Sequence, residues 1–184
     1  TIPYMGMHAF PAYPTVRSFN LNTTGTITGD EAGVEVTLPF GGRAIGVRLA
    51  ANISSAFEVK LYTGTTQLAT SRTFAASEVA AADYRTQSIP FTSPVNLQPG
   101  TYIIALKPTS TGNVVLPEVP IPQAGYQAVY GYPAGSGVRT RVDGGPWAAI
   151  DTTRLFPLAL EFDQTAAGDT GASGGRRRPV ILGV

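Results

Sequence analysis

The segment Val95-Asn96-Leu97-Gln98-Pro99-Gly100-Thr101-Tyr102 decides the fold, because it closes a run of alternating segments that begins at Arg43. Pro99 fixes φ near the value that the second position of a turn requires, and Gly100 can supply the positive φ of a type II turn at the third position. Residues 101–106 then have the composition of a strand. The segment therefore predicts a β-strand that leaves a type II turn.

Upstream of this turn, apolar and polar residues alternate. In Gly46-Val47-Arg48-Leu49 and in Phe57–Tyr62 the period is two, as in strands with one buried face. The same reading along the whole chain predicts strands at Thr15–Leu21, Gly33–Leu38, Arg43–Ala51, Phe57–Thr63, Gln67–Phe74, Tyr84–Thr92, Thr101–Lys107, Asn113–Leu116, Tyr126–Tyr130, Gly137–Val142, Trp147–Ile150 and Leu155–Asp163.

Two stretches depart from the strand pattern. Ala75–Asp83 is helix-prone but too short to be stable alone, so we expect a single turn. Lys107–Gln123 contains several prolines, which favour an edge strand or a long connection over a central strand. With no alternation of helices and strands, the chain is predicted to be all-β, an antiparallel β-sandwich of the jelly-roll type.

The chain divides into four parts by composition. Residues 1–14 contain three prolines and form an extended arm, expected to lie on its own domain or on a neighbour. Residues 15–163 form the sandwich. Residues 164–175 are small, polar and Gly-rich, which predicts a flexible spacer. Residues 176–184 combine three arginines with an apolar, strand-prone run.

The basic-apolar end is predicted to be a docking peptide. An apolar strand on a flexible tether costs solubility unless it finds a partner, by strand addition to a neighbouring sheet edge or as an anchor in an assembly. The alternative is a disordered tail of chance composition. The predicted anchor residues are Arg176, Arg177, Arg178, Val180, Ile181 and Leu182.

Charge and composition exclude several classes of function. The net charge is +1, and without the three tail arginines the charges nearly balance, so no duplex nucleic acid is expected as a partner. Cysteine is absent, which excludes disulfides and thiolate sites. No apolar run approaches the roughly 18 residues of a membrane span.

Catalytic signatures are scarce. His8, the single histidine, lies in the arm, away from any strand end that could hold a catalytic serine or aspartate beside it. Zinc sites made of Cys and His are excluded by count, and no Gly-rich phosphate loop is present. We therefore predict no catalytic residue, no metal and no cofactor.

Acidic pairs are the remaining route to chemistry. Glu161 and Asp163 project to one face of the last predicted strand, as in many glycan-cleaving sandwiches, but Thr165 stands where a third acid would belong. The favoured interpretation is two solvated charges at a strand end. Asp30 and Glu31, in a Gly-flanked loop, are the best pair for calcium, although no spaced ligand motif supports such a site.

Aromatic side chains are the other candidates for binding. Tyr126, Tyr130 and Tyr132 cluster in sequence, and Trp147 follows Gly145-Pro146. Exposed tyrosine and tryptophan stack on sugar rings and also anchor protein interfaces. Three interpretations stay open for these four residues: filling the core, contacting a protein, or forming a glycan platform.

Two stretches carry a resemblance. Arg43–Pro108, with Ala44-Ile45-Gly46-Val47-Arg48 and Pro99-Gly100-Thr101-Tyr102, resembles jelly-roll domains of bacterial surface and phage proteins. Arg139–Trp147 followed by Leu158–Asp163, a small-residue spacer and an Arg-rich apolar end is similar to the C-terminal regions of uncharacterised tailed-bacteriophage virion proteins. The resemblance implies a structural or host-contact role in a virion, and it transfers no site residues.

Three functions are therefore compared. The first is a non-enzymatic virion protein (capsid decoration, fibre or tail-associated) that assembles with other virion proteins, and with copies of itself, on the particle surface after synthesis in the host cytoplasm. The second is a carbohydrate-binding module of a surface or secreted protein, with a cell-surface glycan as partner. The third, less favoured, is a glycoside hydrolase or lyase that uses Glu161 and Asp163.

Overall fold

The computed structural model describes residues 2–3, 17–22, 30–79, 87–120, 135–142 and 144–163. Apart from one 3-10 turn at Ala76–Glu78, the regular structure in these residues is β. The strands are β1 (Ile2–Pro3), β2 (Arg17–Asn22), β3 (Glu31–Leu38), β4 (Gly42–Leu49), β5 (Asn52–Ile53), β6 (Phe57–Thr63), β7 (Thr66–Thr70), β8 (Gln87–Leu97), β9 (Gly100–Pro108), β10 (Asn113–Pro120), β11 (Gly137–Arg141), β12 (Arg154–Leu155) and β13 (Leu158–Phe162).

The described strands pair antiparallel throughout and form three sheets. One sheet has five strands in the order β11-β3-β9-β6-β7, and a second has the order β1-β13-β4-β8. In the third, β10 lies between β2 on one side and β12 and β5 on the other. The sheets pack against each other, which confirms the predicted all-β antiparallel sandwich. The jelly-roll order of connections stays a prediction.

The core follows directly from the period of two. In β3, Ala32, Val34 and Val36 are fully buried, while Thr37 is exposed. Inward-facing side chains from all three sheets join in one apolar cluster that includes Phe57 and Phe156. Burying each large apolar side chain of this kind stabilises the fold by about 1.5–3 kcal/mol.

The outer edge of β11 is covered by the chain that follows it. Val138 and Asp151 exchange two backbone hydrogen bonds of 2.9 Å each, and the amide of Ala148 donates to the carbonyl of Thr140. A Cβ added at Gly137 would lie 2.5 Å from the Asp151 carbonyl oxygen, so glycine permits this close approach. The covered edge is thereby protected from pairing with another chain.

Several sequence predictions are confirmed. The strand at Phe57–Thr63 has the predicted bounds, and the described part of the helix-prone stretch, residues 75–79, contains a 3-10 turn. Ile2–Pro3 pairs with β13, and the extended arm predicted over residues 1–14 stays a prediction. The predicted strand Tyr126–Tyr130, the remainder of the arm and residues 164–184 lie outside the described residues.

The predicted type II turn is wrong. Gly100 does not have a positive φ; it is the first residue of β9. The connection Gln98–Pro99 leads from β8 in one sheet to β9 in another, so the chain turns a corner between layers and does not form a hairpin. The hydroxyl of Tyr102 holds this corner by donating to the Gln98 carbonyl at 2.7 Å.

Two further predictions are wrong. β10 pairs with described strands on both of its sides, so it is a central strand and not an edge strand. Opposite β2, the pairing among the described residues is confined to Val114–Val115 with β5 and to Val119–Pro120 with β12. Pro117 falls between these two short pairings, where no ladder bond to them is needed. Trp147–Ile150 is not a strand; this segment crosses the outside of the five-stranded sheet.

Candidate functional site

The outer face of the five-stranded sheet holds a buried polar cluster. Arg141 on β11 donates through Nη2 to Glu31 Oε1 at 2.7 Å and to the Tyr62 hydroxyl at 2.8 Å. The Tyr62 hydroxyl donates in turn to the same Glu31 oxygen at 3.1 Å. The Glu31 side chain is only 1% exposed and that of Arg141 10%. Glu31 is therefore as buried as a core residue although it lies on an outward face, and Arg141 is largely buried beside it.

Trp147 covers this cluster. It lies in a segment that we call the strap (residues 144–150), and its ring packs on Tyr62, Ile103 and Ala105. The Tyr62 and Trp147 rings meet edge to face with centroids 5.5 Å apart. The Arg141 guanidinium carbon lies 4.6 Å from each ring centroid, so the cation contacts both aromatic rings.

A second ion pair fixes the strap to the sheet. Arg139 donates through Nε to Glu35 at 2.8 Å, and its Nη1 donates to the Ala148 carbonyl of the strap. Gly33 lies between Arg139 and Ala105 in the register of the sheet, so two small residues stand where the strap crosses. The two arginines of β11 thus both serve the strap: Arg141 contacts its tryptophan and Arg139 its backbone.

A separate buried carboxylate lies on the β1-β13-β4-β8 sheet. Glu161 on β13 is 2% exposed, accepts from Arg48 Nε at 3.2 Å, and accepts from the Ser88 hydroxyl on β8. On β4, the strand between β13 and β8, Gly46 lies opposite Glu161. Glu161 therefore ties three strands together.

The described arginines are all paired. Each arginine whose side chain the structure describes forms an ion pair with a carboxylate: Arg43 with Asp163, Arg48 with Glu161, Arg72 with Glu78, Arg139 with Glu35, Arg141 with Glu31 and Arg154 with Asp151. Lys60 pairs with Glu58. Each of these carboxylates therefore has a cation beside it.

Three acidic groups in the described part of the chain have displaced pKa values. Burial, with the adjacent Glu31 carboxylate, raises the pKa of Tyr62 well above the ordinary value near 10. The hydrogen bond from Arg72, with that from the Ala75 amide, lowers the pKa of Glu78 to about 2. The Thr153 hydroxyl, helped by Arg154, lowers the pKa of Asp151. Tyr62 thus stays neutral and both carboxyl groups stay charged at neutral pH.

The two ends of the described chain lie side by side. Ile2 on β1 is opposite Phe162 on β13, and Asp163 donates its amide to the Arg43 carbonyl. The turn between β3 and β4 reaches the same place, because the Phe40 ring meets the Phe162 ring edge to face at 5.8 Å. Phe40 is 38% exposed, and with Val142 it is one of the exposed large apolar side chains in the described part of the chain.

No family model matches this chain, and neither do curated proteins or solved structures. Within the described residues there is no helix with the length and apolar character needed to cross a membrane.

Of the four aromatic residues predicted to bind, the structure describes one. Trp147 is half-buried with its ring engaged by Arg141 and Tyr62, while Tyr126, Tyr130 and Tyr132 lie outside the described residues. The roles predicted for these four residues in contacting a protein or a glycan stay predictions. The predicted anchor residues, Arg176, Arg177, Arg178, Val180, Ile181 and Leu182, also lie outside the described residues.

The predicted solvated pair at the last strand is wrong for Glu161, which is buried between Arg48 and Ser88. Asp163 instead faces Arg43 at 3.6 Å. Glu31 of the proposed calcium pair is occupied by Arg141 and Tyr62. Among the described residues, no group of three or more acidic or histidine side chains could hold a metal ion.

The cluster at Glu31 was missed from sequence, although one signal was present. Arg139-Thr140-Arg141 places two arginines on the same face of a strand, and Glu31 and Glu35 do the same on the strand that pairs with it. Opposite charges on facing strands predict cross-strand ion pairs once the pairing is known. The pairing itself joins residues more than a hundred positions apart and is not visible in the local pattern.

Proposed function

We propose that this protein is a non-enzymatic structural component of a virion, as a capsid-decorating, fibre or tail-associated protein. In this proposal the sandwich is a rigid scaffold, and assembly with other virion proteins and with copies of itself depends on the chain ends. The virion assignment rests on the sequence resemblance of Arg43–Pro108 and of the C-terminal region. The geometry supports the scaffold and the position of the ends.

The observation that carries the proposal is the pairing of Ile2 with Phe162. It places the first described residues of the arm beside Asp163, after which the predicted C-terminal spacer begins. Phe40, Pro39 and Pro99 add exposed side chains from the β3–β4 turn and the β8–β9 corner. An exposed aromatic side chain beside the first and last described strands can anchor a protein contact.

The distribution of charge also supports a scaffold role for the sandwich and a contact role for the C-terminal segment. The arginines whose side chains the structure describes are paired with carboxylates of the sandwich, whereas Arg176–Arg178 are adjacent in a segment whose single acidic residue is Asp169. Uncompensated positive charge attracts a surface of opposite sign and accelerates association. The partner surface is therefore expected to be acidic, with an apolar edge or groove for Val180–Leu182.

The buried carboxylates support a structural role. A general acid or base must reach a substrate and exchange its proton during the reaction. Glu31 and Glu161 are nearly inaccessible, and each is bonded to an arginine and to a hydroxyl group of the protein. Their geometry fits carboxylates that hold strands together.

The experiment compares incorporation of three proteins into particles: the full chain, the chain without residues 164–184, and a variant with Arg176, Arg177 and Arg178 changed to alanine. Sedimentation of assembled particles measures incorporation, and analytical ultracentrifugation measures self-association. The matched control changes Arg43, Arg72 and Arg154 to alanine, which removes the same charge from the body. We expect the tail variants to lose incorporation and the control to retain it. Equal incorporation of all four proteins, or none by the full chain, would contradict the proposal.

A further inference from the structure

Three polar atoms of the cluster under the strap are buried and have no hydrogen-bond partner among the described residues. They are Glu31 Oε2, Arg141 Nε and Trp147 Nε1. They belong to groups already in contact: Arg141 Nη2 holds the other Glu31 oxygen at 2.7 Å, and the guanidinium carbon lies 4.6 Å from the Trp147 ring centroid. A buried polar atom without a partner carries its full desolvation cost, so each of the three atoms requires one.

This cluster differs from the other buried polar atoms because its two N–H donors point in fixed directions. Ser55 Oγ and Thr109 Oγ1 are also buried without a partner, but hydroxyl groups rotate and can find one. The N–H of an indole and the Nε–H of a guanidinium are fixed in the plane of their groups. Two fixed donors and one carboxylate acceptor therefore define what the missing partner must be.

We propose that one water molecule is bound between Glu31, Arg141 and Trp147. It would accept hydrogen bonds from Arg141 Nε and Trp147 Nε1 and donate one to Glu31 Oε2, which gives the three polar partners typical of buried water. A cation lacks the lone pairs for the two donors, and chloride has no hydrogen for the carboxylate. A sugar hydroxyl is excluded by access, because Glu31 is 1% exposed.

The bound water gives the strap a polar attachment to the sheet in addition to its apolar one. Glu31 lies on β3, Arg141 on β11 and Trp147 on the strap, so a single molecule joins two strands and the covering segment. The site is independent of the proposed function, since it concerns how the strap is held and not what the chain ends contact.

The test uses Trp147 as its own probe. The chain has one tryptophan, so a 15N-labelled sample of the full chain gives one indole N–H signal. Water-selective NOE spectra of the unaltered protein should show a cross-peak between this N–H and water, with the sign that distinguishes long-lived bound water from rapidly exchanging surface water. The N–H should also exchange slowly with bulk solvent.

Two matched variants identify the partners. Arg141→Lys keeps a cation beside Glu31 but removes the Nε donor, and should reduce the cross-peak intensity at least twofold. Tyr62→Phe removes a different bond to the same two residues and leaves the three atoms intact, so the cross-peak should persist. Fast exchange of the indole with bulk water overturns the proposal. A protected N–H without a water cross-peak, which means a protein acceptor, or an unchanged intensity in Arg141→Lys, also overturns it.

Discussion

The guanidinium of Arg141 donates to the carboxylate of Glu31 at 2.7 Å, across 110 residues of sequence. The bond closes β11 onto β3 at the edge of the five-stranded sheet, where the two residues are directly opposite. Because both side chains are nearly inaccessible, removing one leaves an uncompensated charge in a low-dielectric site. Removing one member of the pair is therefore expected to reduce the free energy of unfolding by more than the intact pair contributes to it.

The first prediction concerns this pair. Glu31→Ala should reduce the free energy of unfolding by about 3–5 kcal/mol, the usual cost of breaking a buried ion pair from one side. The double variant Glu31→Leu with Arg141→Met should recover most of this loss, since apolar replacement of both partners is often neutral or stabilising. Urea denaturation measures both values.

Arg72→Ala is the control for the buried pair. Its ion pair with Glu78 has comparable length, 2.7 Å, but the arginine side chain is 58% exposed. Exposed pairs contribute little, so the denaturation midpoint should barely move. If Arg72→Ala and Glu31→Ala reduce the free energy of unfolding equally, burial does not explain the cost of breaking the Glu31 pair.

The second prediction concerns pH. Burial beside Glu31 raises the pKa of Tyr62, so in the folded protein this phenol stays neutral as the pH rises past 10, where exposed tyrosines ionise. In the unfolded chain Tyr62 has the ordinary pKa. Its contribution to stability is therefore fully present below about pH 10 and is lost as the pH rises above that value toward the folded pKa.

Absorbance at 295 nm follows tyrosine ionisation and checks this prediction. Tyr62→Phe should leave the number of tyrosines that titrate reversibly below pH 12 in the folded protein unchanged, and should lower by one the number that titrates in urea. A loss of one titrating tyrosine from the folded protein would show that Tyr62 ionises normally.

The third prediction concerns Gly46, which lies opposite Glu161 in the pairing of β4 with β13. A Cβ at this position would lie 2.6 Å from the Ile89 carbonyl oxygen and 3.0 Å from the Pro90 Cα, and both are backbone atoms that cannot rotate away. Gly46→Ala should therefore cost about 1–3 kcal/mol by overpacking. Gly100→Ala is the matched control, because its nearest neighbours are Tyr102 side-chain atoms at 3.6–3.8 Å. It should stay within about 0.5 kcal/mol of the unaltered protein in thermal unfolding.

Local alternation was sufficient to predict most of the strands. β6 has the predicted bounds, and β3, β4 and β9 differ by a few residues at their ends, because one face of each strand lies in the core and imposes the period of two. The same signal could not assign strands to sheets. Residues 95–102 contain a turn dipeptide between two strands, but nothing local says that the strands belong to different layers.

Burial of charge was the other part that sequence could not supply. Glu31 and Glu161 occupy outward positions, where a carboxylate is normally solvated. Glu31 lies under the strap that returns over the sheet, and Glu161 accepts hydrogen bonds from Arg48 on β4 and from Ser88 on β8. These contacts depend on pairings between distant segments. One of these contacts, between β11 and β3, has a signal in the sequence: arginines at positions 139 and 141 and glutamates at 31 and 35 each lie on one face of their strand.

The last prediction concerns the strap. Trp147→Ala removes the ring that covers Tyr62, Ile103 and Ala105, and also the aromatic contact of Arg141. Truncating a well-buried tryptophan costs about 3–5 kcal/mol; because Trp147 is only half-buried, the expected loss is about 2–3 kcal/mol. Trp147→Phe should retain more than half of the stability that the alanine variant loses, since a second aromatic ring can occupy the same position. Val142→Ala, at a 67% exposed position beside the strap, should change stability by less than about 0.5 kcal/mol. Urea denaturation followed by far-UV circular dichroism compares the three variants, and a loss for Trp147→Ala no larger than that for Val142→Ala would mean that the strap does not hold the sheet.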